Sequence, residues 1–385
     1  MDAVGKIELL GRAAQYDLCG EACGTEAHRV RDELDRWIYP AVMPDGRRIA
    51  MFKVLMTNAC ENDCRYCAQR ASRDCRRISF QPEELARIFD SLKTQRRVEG
   101  IFLSSSVRGS ADRTMEQMLA AIEIIRFKYA FPGYVHLKIL PGAQKGAIER
   151  AVELADRVSL NLEAPNPQRL AHLSEAKDFE NDLLKRLYWA RECIAAQPPL
   201  PRHGGQFGHG RAGITTQFVV GAAQESDREI LGTSDRLYRG IALSRAYYSA
   251  FQPVPDTPLE NQAATPPLRE HRLYQSDWLL RKYGFQFGEL VFDEVGNLPM
   301  EADPKMVWAQ AHVDHFPIEV NRASREELLR VPGIGPTSAA RILRLRRENK
   351  FRNIEDLKKA GVVVSRAIPY VLLEGRRLPA QLSLW

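Results

Sequence analysis

KVLMTNACENDCRYCAQR, residues 53–70, sets three cysteines directly after a β-rich run. Lys53–Asn58, with Val54, Leu55 and Met56, has the composition of a buried strand. Cys60, Cys64 and Cys67 follow as C-x3-C-x2-C, with an aromatic, Tyr66, before the last. Thiols at this spacing can bind zinc, hold an iron–sulfur cluster or enter disulfides. A tetrahedral zinc site needs a fourth ligand, and no second C-x2-C occurs. Cys75, eight residues on, or Cys19 and Cys23 far upstream, could complete one. A cluster gives three ligands a reason of their own: a [4Fe–4S] cube has four irons, and three thiolates leave one open.

The stretch sits in a chain of 385 residues, enough for one large domain and a smaller one. Hydrophobic content of 44% and charged content of 27% are those of a soluble globular protein. No long uninterrupted apolar run suggests a transmembrane helix. MDAVGKIELLGRAAQYD at the start lacks the basic-then-apolar layout of a signal peptide, so a cytoplasmic location is expected. Seven cysteines in so long a chain argue against a secreted disulfide framework.

Working outward, β-rich runs alternate with helical patterns. The strand candidates are 53–58, 101–106, 134–140, 157–163, 214–220 and 245–251. Between them, apolar residues recur at helical spacing: Leu85, Ile88, Phe89, Leu92; Met115, Met118, Leu119, Ile122; Leu183, Leu184, Leu187, Ile194; and Ile230, Leu231, Leu237, Tyr238. Such alternation implies a parallel sheet, either a (β/α) barrel or a doubly wound open sheet. Several strands carry a polar face: His136 and Lys138; Ser159, Asn161 and Glu163; Arg245, Tyr247 and Ser249. Strands covered on both sides are usually apolar throughout, so these faces predict a lumen that holds a polar ligand.

The connections differ in character. Residues 197–213 form a Pro/Gly-rich loop whose His203 and His209 read as loop residues rather than metal ligands. A second proline-rich connection, 252–268, precedes a helix expected over 269–283. Residues 303–317 read as an ordered linker with Trp308 and Phe316 to pack.

The net charge of +6 is unevenly spread. Residues 321–377 hold 14 Lys/Arg and 6 Asp/Glu, while the remainder holds 41 and 43. A basic appendage behind a near-neutral body suits nucleic-acid binding; a solvated helical surface is the plain alternative. Within it, Ser324 and Glu327 form an S-x-x-E capping box, Pro332 and Gly333 break the helix, and Pro336 opens another. Gly333-Ile334-Gly335 leaves backbone N–H groups able to approach a phosphate. This resembles the helix-hairpin-helix motif. It repeats in outline at 353–372, with Asn353, Asp356, Leu357 and Gly361 in matching places and Val363 where the second glycine would stand. Gly333, Ile334, Gly335, Thr337, Arg341 and Arg344 are the candidate DNA-contact residues.

The cysteine triad resembles the signature of the radical S-adenosylmethionine (radical SAM) superfamily. That resemblance implies a partial (β/α)6 TIM-type barrel, a [4Fe–4S] cluster on Cys60, Cys64 and Cys67, and S-adenosylmethionine chelating the open iron. One electron cleaves the sulfonium, and a 5′-deoxyadenosyl radical abstracts hydrogen from a substrate. The family's second strand usually ends in a Gly-Gly-Glu-like turn; Ser104-Ser105-Ser106 stands there, so hydroxyls or backbone must serve. Tyr66, Asn161, Glu163 and Gly221 are the other cofactor-binding candidates it implies.

The triad together with FLSSSV, YVHLKILPG, SLNLEAP, AYYSAFQPV, EHRLYQSDWLL and the terminal hairpins resembles radical SAM proteins assigned to DNA modification or repair. The expected arrangement is an N-terminal extension (1–50), a core barrel (51–290), a linker (291–320) and a small all-α helix-hairpin-helix domain (321–377). Arg245, Tyr247, His136 and Lys138 are candidates for the reactive lumen wall. DNA, an electron donor such as flavodoxin or ferredoxin, and a uracil-DNA-glycosylase-like protein are the implied partners. Two other functions fit the same features: a radical SAM enzyme acting on RNA, and a non-enzymatic iron–sulfur DNA-binding protein.

Overall fold

In the computed structural model, Lys53–Leu55 of the run before the cysteines end a longer strand, β2 (Arg48–Leu55), and Met56–Asn58 lie beyond it. The structure describes residues 3–16, 37–42, 47–197 and 212–378; Cys19, Cys23, His203 and His209 lie outside them. On one side β2 pairs antiparallel with β1 (Ile38–Val42). On the other it begins a parallel series, β3 (Gly100–Ser104), β4 (Tyr134–Lys138), β5 (Arg157–Ser159), β6 (Gly213–Val220) and β7 (Arg245–Ala250), in sequential order. Among the described residues β7 does not pair back to β1. The result is a partial barrel of six parallel strands rather than a doubly wound sheet. The chain divides into two compact units, Met1–Glu225 with Arg236–Thr265 and Ser226–Asp235 with Pro266–Trp385.

Helices connect the strands because their apolar stripes need a cover. After β2 comes α2 (Pro82–Thr94), opened by a capping box between Gln81 and Glu84 with Pro82 at its first turn. Its Leu85, Phe89 and Leu92 are buried, and full burial of one such side chain contributes about 1.5–3 kcal/mol. After β3 comes α3 (Ala111–Glu123), where Ser110 accepts from the Arg113 N–H and Met115, Met118, Leu119 and Ile122 face inward. Four further helices, α4 (Lys145–Leu154), α5 (Pro167–Leu173), α6 (Lys185–Ala196) and α7 (Asp227–Ile241), complete the alternation. Before β1, α1 (Ala3–Ala13) reaches back to α2 through a 2.7 Å Lys6–Glu84 ion pair.

The expected strand over 157–163 is regular only as far as Ser159. Beyond it the chain keeps contact with β6: Leu160 N–H donates to Thr215 (3.1 Å) and Glu163 N–H to Gln217 (3.0 Å). Glu163 has φ of 66°, a left-handed conformation that no extended strand can include.

The second unit adds α8 (Pro267–Lys282), α9 (Pro304–Ala311), α10 (Arg325–Arg330), α11 (Pro336–Leu345), α12 (Ile354–Lys359) and α13 (Val364–Ala367). Both expected capping boxes form, at Ser324/Glu327 and at Asn353/Asp356. An all-α reading of this module is incomplete: β8 (Ile318–Glu319), β9 (Val371–Leu373) and β10 (Arg376–Arg377) make a small sheet. Leu328, Leu329, Val331, Ile334, Ile342 and Leu357 fill its core. The stretch read as a linker is partly helical, and Trp308 packs edge-on against Phe285 (5.5 Å) and Phe316 (6.2 Å).

Gly333 is fixed by packing within this unit. It sits at φ of 85°, and a Cβ there would overlap the carbonyl oxygen of Val363. Its own carbonyl accepts from the Val363 N–H at 2.9 Å, so the two hairpins meet through this residue. Gly333→Ala should therefore destabilise the C-terminal unit by ~2–3 kcal/mol. Calorimetry should show its transition displaced downward, and an unshifted transition would refute the packing role.

Candidate functional site

The cysteines lie on an irregular loop between β2 and α2. Its two ends are pinned together. Asn58 donates through its side-chain amide to the Arg76 carbonyl (2.8 Å) and accepts from the Ile78 N–H (2.7 Å), while the Thr57 hydroxyl reaches the Ile78 carbonyl (2.9 Å). Within the loop, Cys67 N–H bonds the Cys64 carbonyl (3.2 Å) and Arg70 N–H the Cys67 carbonyl (3.2 Å). Asp63 takes both ends of the Arg70 guanidinium (2.7 and 2.6 Å) and the Ser72 hydroxyl (2.8 Å). Those bonds, Arg70's first, lower the Asp63 pKa to about 2.

All five cysteines among the described residues are free thiols. Cys60, Cys64 and Cys67 line one cavity of about 290 Å³. Leu55, Ser104, Lys138, Val219 and Ser249 line it too, which sets it at the carboxyl ends of the parallel strands. That is the end at which barrel folds carry their chemistry. No three His, Cys, Asp or Glu side chains among the described residues converge closely enough for a single metal ion.

Charge around the thiols is arranged by β5's irregular continuation. The Glu163 carboxylate lies 3.5 Å from the Lys177 ammonium, both nearly excluded from water. Burial works against the Lys177 charge, but the thiols of Cys64 and Cys67 and the Glu163 carboxylate together hold its pKa above the ordinary value. Tyr66 is pushed well up, first by burial and then by Glu163. Burial, followed by the neighbouring Cys64, pushes Cys67 up to about 12. Lys138 donates to Asn161 Oδ1 at 2.7 Å.

The structure brings most of the expected site residues to this cavity: the three cysteines, Tyr66, Ser104, Ser105, Ser106, Asn161, Glu163 and Lys138. Ser105 Oγ donates to the Ser106 carbonyl (2.7 Å), and Ser106 N–H to Thr57 (3.0 Å). Gly221 is not among the lining residues; its N–H is taken by Glu225 and its carbonyl by Gln262 (2.9 Å).

His136, Arg245 and Tyr247 do not line the cavity either. They stand one layer deeper, on the inward faces of β4 and β7. His136 is 1% exposed, stacks on Phe102 (4.1 Å) and shares a 2.9 Å hydrogen bond with Ser159. Burial, then Arg157, Lys138 and Lys53, holds its pKa well below the usual range. Tyr247 is 2% exposed, accepts from Arg157 (3.3 Å) and carries the Arg245 guanidinium 5.0 Å from its ring. Phe102 belongs to an apolar cluster with Tyr39, Ala41, Ile49, Met51 and Tyr134.

In the second unit, Ile334 is buried in the core, and Lys305 Nζ, itself buried, donates to its carbonyl at 2.6 Å. Thr337, Arg341 and Arg344 are exposed on α11, at positions i, i+4 and i+7 of one face. Arg346 belongs to the fold, with bonds to the Val320 (3.1 Å) and Ala323 (2.6 Å) carbonyls. In the second hairpin Val363 is 53% exposed where the first has Gly335.

Sequence reading passed over Arg77, Lys177 and Lys305. Each acts through a contact distant along the chain or through a loop carbonyl, which no periodicity reveals. A lysine in an otherwise acidic stretch, SEAKDFE (174–180), was the one available sign for Lys177.

Residues 54–195 match the Radical SAM superfamily, and residues 313–363 match a helix-hairpin-helix motif. The chain thus carries a radical SAM domain followed by a helix-hairpin-helix motif. No curated protein matches it. Among solved structures, it is similar to methylornithine synthase (PylB), at 13% identity over 60% of this chain and 61% of that one, with a TM-score of 0.47. HydG, the [FeFe]-hydrogenase maturase from Carboxydothermus hydrogenoformans, is 15% identical over 60% of this chain and 51% of that one (TM-score 0.45). A radical SAM methyltransferase from Sphaerobacter thermophilus is 15% identical over 60% and 67% (TM-score 0.42). The chain spans 61% of the length of the first of these and 51% of the second.

The residues present fit a cluster. Three free soft donors face one cavity, and a buried cation stands beside them.

Lys305 gives the C-terminal unit a pH dependence. Burial, then the Arg366 charge, outweighs the Asp303 carboxylate and lowers its pKa from 10.5 to about 7. Between those values the unfolded chain holds the extra proton, so stability rises with pH from about 7 towards 10. Melting of the C-terminal unit between pH 7 and 9 should show that rise, and Lys305→Met should flatten it. An equal slope in the variant would assign it elsewhere.

Proposed function

We propose that this chain is a radical SAM enzyme that reductively cleaves S-adenosylmethionine and uses the 5′-deoxyadenosyl radical in modification or repair of DNA. The observation that carries the reading is the meeting of three free thiols on one cavity at the carboxyl ends of a parallel barrel, within a radical SAM domain. Cys60, Cys64 and Cys67 would hold a [4Fe–4S] cluster; when bound, it supplies the electron that breaks the sulfonium.

The chain's own residues prepare that place. Lys177 balances thiolate charge, and Glu163 keeps Lys177 oriented. Tyr66, the serines of 104–106 and Asn161 supply the polar wall for S-adenosylmethionine, with Lys138 holding Asn161 in place. A cavity at the mouth of a barrel cannot admit a base stacked in a duplex, so the target nucleotide must leave the stack or be single-stranded. The exposed Thr337, Arg341 and Arg344 on α11 support backbone contact without sequence readout. Reductive cleavage also calls for an electron donor of flavodoxin or ferredoxin type, and a uracil-DNA-glycosylase-like protein remains part of the proposal as a repair partner.

The decisive experiment is anaerobic reconstitution followed by dithionite and S-adenosylmethionine, with mass spectrometry of nucleosides from defined damaged oligonucleotides. We expect 5′-deoxyadenosine, and an altered nucleoside in DNA. An intact cluster with no 5′-deoxyadenosine would leave a non-enzymatic iron–sulfur protein. Product in structured RNA alone would redirect the enzyme to RNA. Cys64→Ala should lose cluster and 5′-deoxyadenosine together.

Binding is separable from this chemistry. Arg341→Ala with Arg344→Ala should weaken duplex binding equally across sequences and lower the salt slope by about 2. 5′-Deoxyadenosine formation without DNA should be unchanged. Undiminished affinity would remove this face from the interface.

A further inference from the structure

We infer that Arg77 is the positioning residue of the cysteine loop: one guanidinium closes the loop on itself and holds the three thiols in place before any cluster arrives. The cluster part of this inference rests on the function proposed above. The loop leaves β2 after Leu55 and has no ladder or helix of its own until α2. Its carbonyls must therefore find donors elsewhere.

Arg77 supplies donors at both ends of the cysteine-bearing span. Nη1 donates to the Asn58 carbonyl (2.7 Å), ahead of Cys60, and to the Gln69 carbonyl (2.9 Å), beyond Cys67. Nη2 donates to the Arg70 carbonyl and to the Arg73 carbonyl (2.9 Å). The four carbonyls span 58 to 73, so the triad lies wholly inside the segment that this side chain ties together.

The chemistry requires arginine. A guanidinium is planar, always charged and directs five N–H groups in a fixed fork, whereas a lysine offers three donors from one point. Three N–H groups leaving one point cannot serve four carbonyls. Arg77 contacts none of the thiols through a hydrogen bond in this structure; it acts on where they stand. The bonds from Asp63 to Arg70 and Ser72 brace one part of the same loop but do not reach Asn58. Asn58 and Thr57 pin the loop's outer ends at Arg76 and Ile78, and Arg77 ties the same beginning to residues 69–73 just beyond the triad.

The test begins on metal-free protein, where failure of the radical chemistry cannot confuse it. Amide hydrogen exchange is compared for wild type, Arg77→Lys, Arg77→Ala and Cys64→Ala. We expect exchange over residues 59–73 to quicken by about tenfold or more in both Arg77 variants. The rest of the barrel should be unchanged, and Cys64→Ala should exchange as wild type does. After anaerobic reconstitution, both Arg77 variants should hold less iron and lose it faster to a chelator. Their reduced-cluster electron paramagnetic resonance should be broadened. Unchanged exchange in Arg77→Lys would overturn the inference, as would exchange that rises equally across the whole barrel. If Arg77→Ala does not fold, Arg77→Lys decides. Quickened exchange with wild-type iron content and spectrum would overturn the link between the loop and the cluster while leaving the proposed enzyme intact.

Discussion

The two-residue alternation of a β-strand governs everything at the barrel's mouth. Each parallel strand turns alternate residues inward, and the register between strands decides which of them share a level. Lys138 pairs with Ser159 and Ser159 with Thr215, so polar residues follow one another from strand to strand on the inner wall. A slip of one residue in any strand would exchange a polar side chain for one such as Leu137, Val158 or Ala246. It would also carry Ser104, Asn161 or Ser249 away from the cavity. The outward residues prevent that slip, since they are apolar and pack under the helices.

Above this wall the difficulty is buried charge. A carboxylate, an ammonium and three thiols line one cavity, with Glu163 and Lys177 nearly excluded from water. Isolated ions there would cost several kcal/mol each. Glu163 and Lys177 offset one another, and the pair persists because Glu163 is fixed by backbone on both sides: its N–H bonds Gln217 and its carbonyl accepts from Val219. The left-handed backbone at Glu163 is the local cost of placing a carboxylate there, and β6 holds it.

Much of this architecture was legible in the amino-acid sequence. The six runs that form β2 to β7 could be found because buried parallel strands concentrate β-branched and aromatic residues. Their polar faces foretold a lumen. They could not separate its levels: His136, Arg245 and Tyr247 share parity with cavity residues but lie deeper, because depth follows from register and curl. The helices α4 and α5 were passed over; α5 has seven residues, too few for a periodic stripe. In the second unit, capping boxes and glycines were plain because they act within a few residues of themselves. The strands β8 to β10, two or three residues long, carry no such pattern. Arg77 and Lys177 escaped notice because their partners are fixed only by the folded loop.

The contact at Gly333 has a bearing on how far one hairpin can change without the other. Two hairpins with independent duties could each change without disturbing the other. Here the second hairpin supplies part of the surface on which the first is moulded: the Val363 N–H bonds the Gly333 carbonyl, and the Ser338 hydroxyl bonds the Gly361 carbonyl at 2.6 Å. Each copy thus constrains the other's backbone at its own glycine. A change at either turn is therefore felt by both. The pair behaves as one mechanical unit.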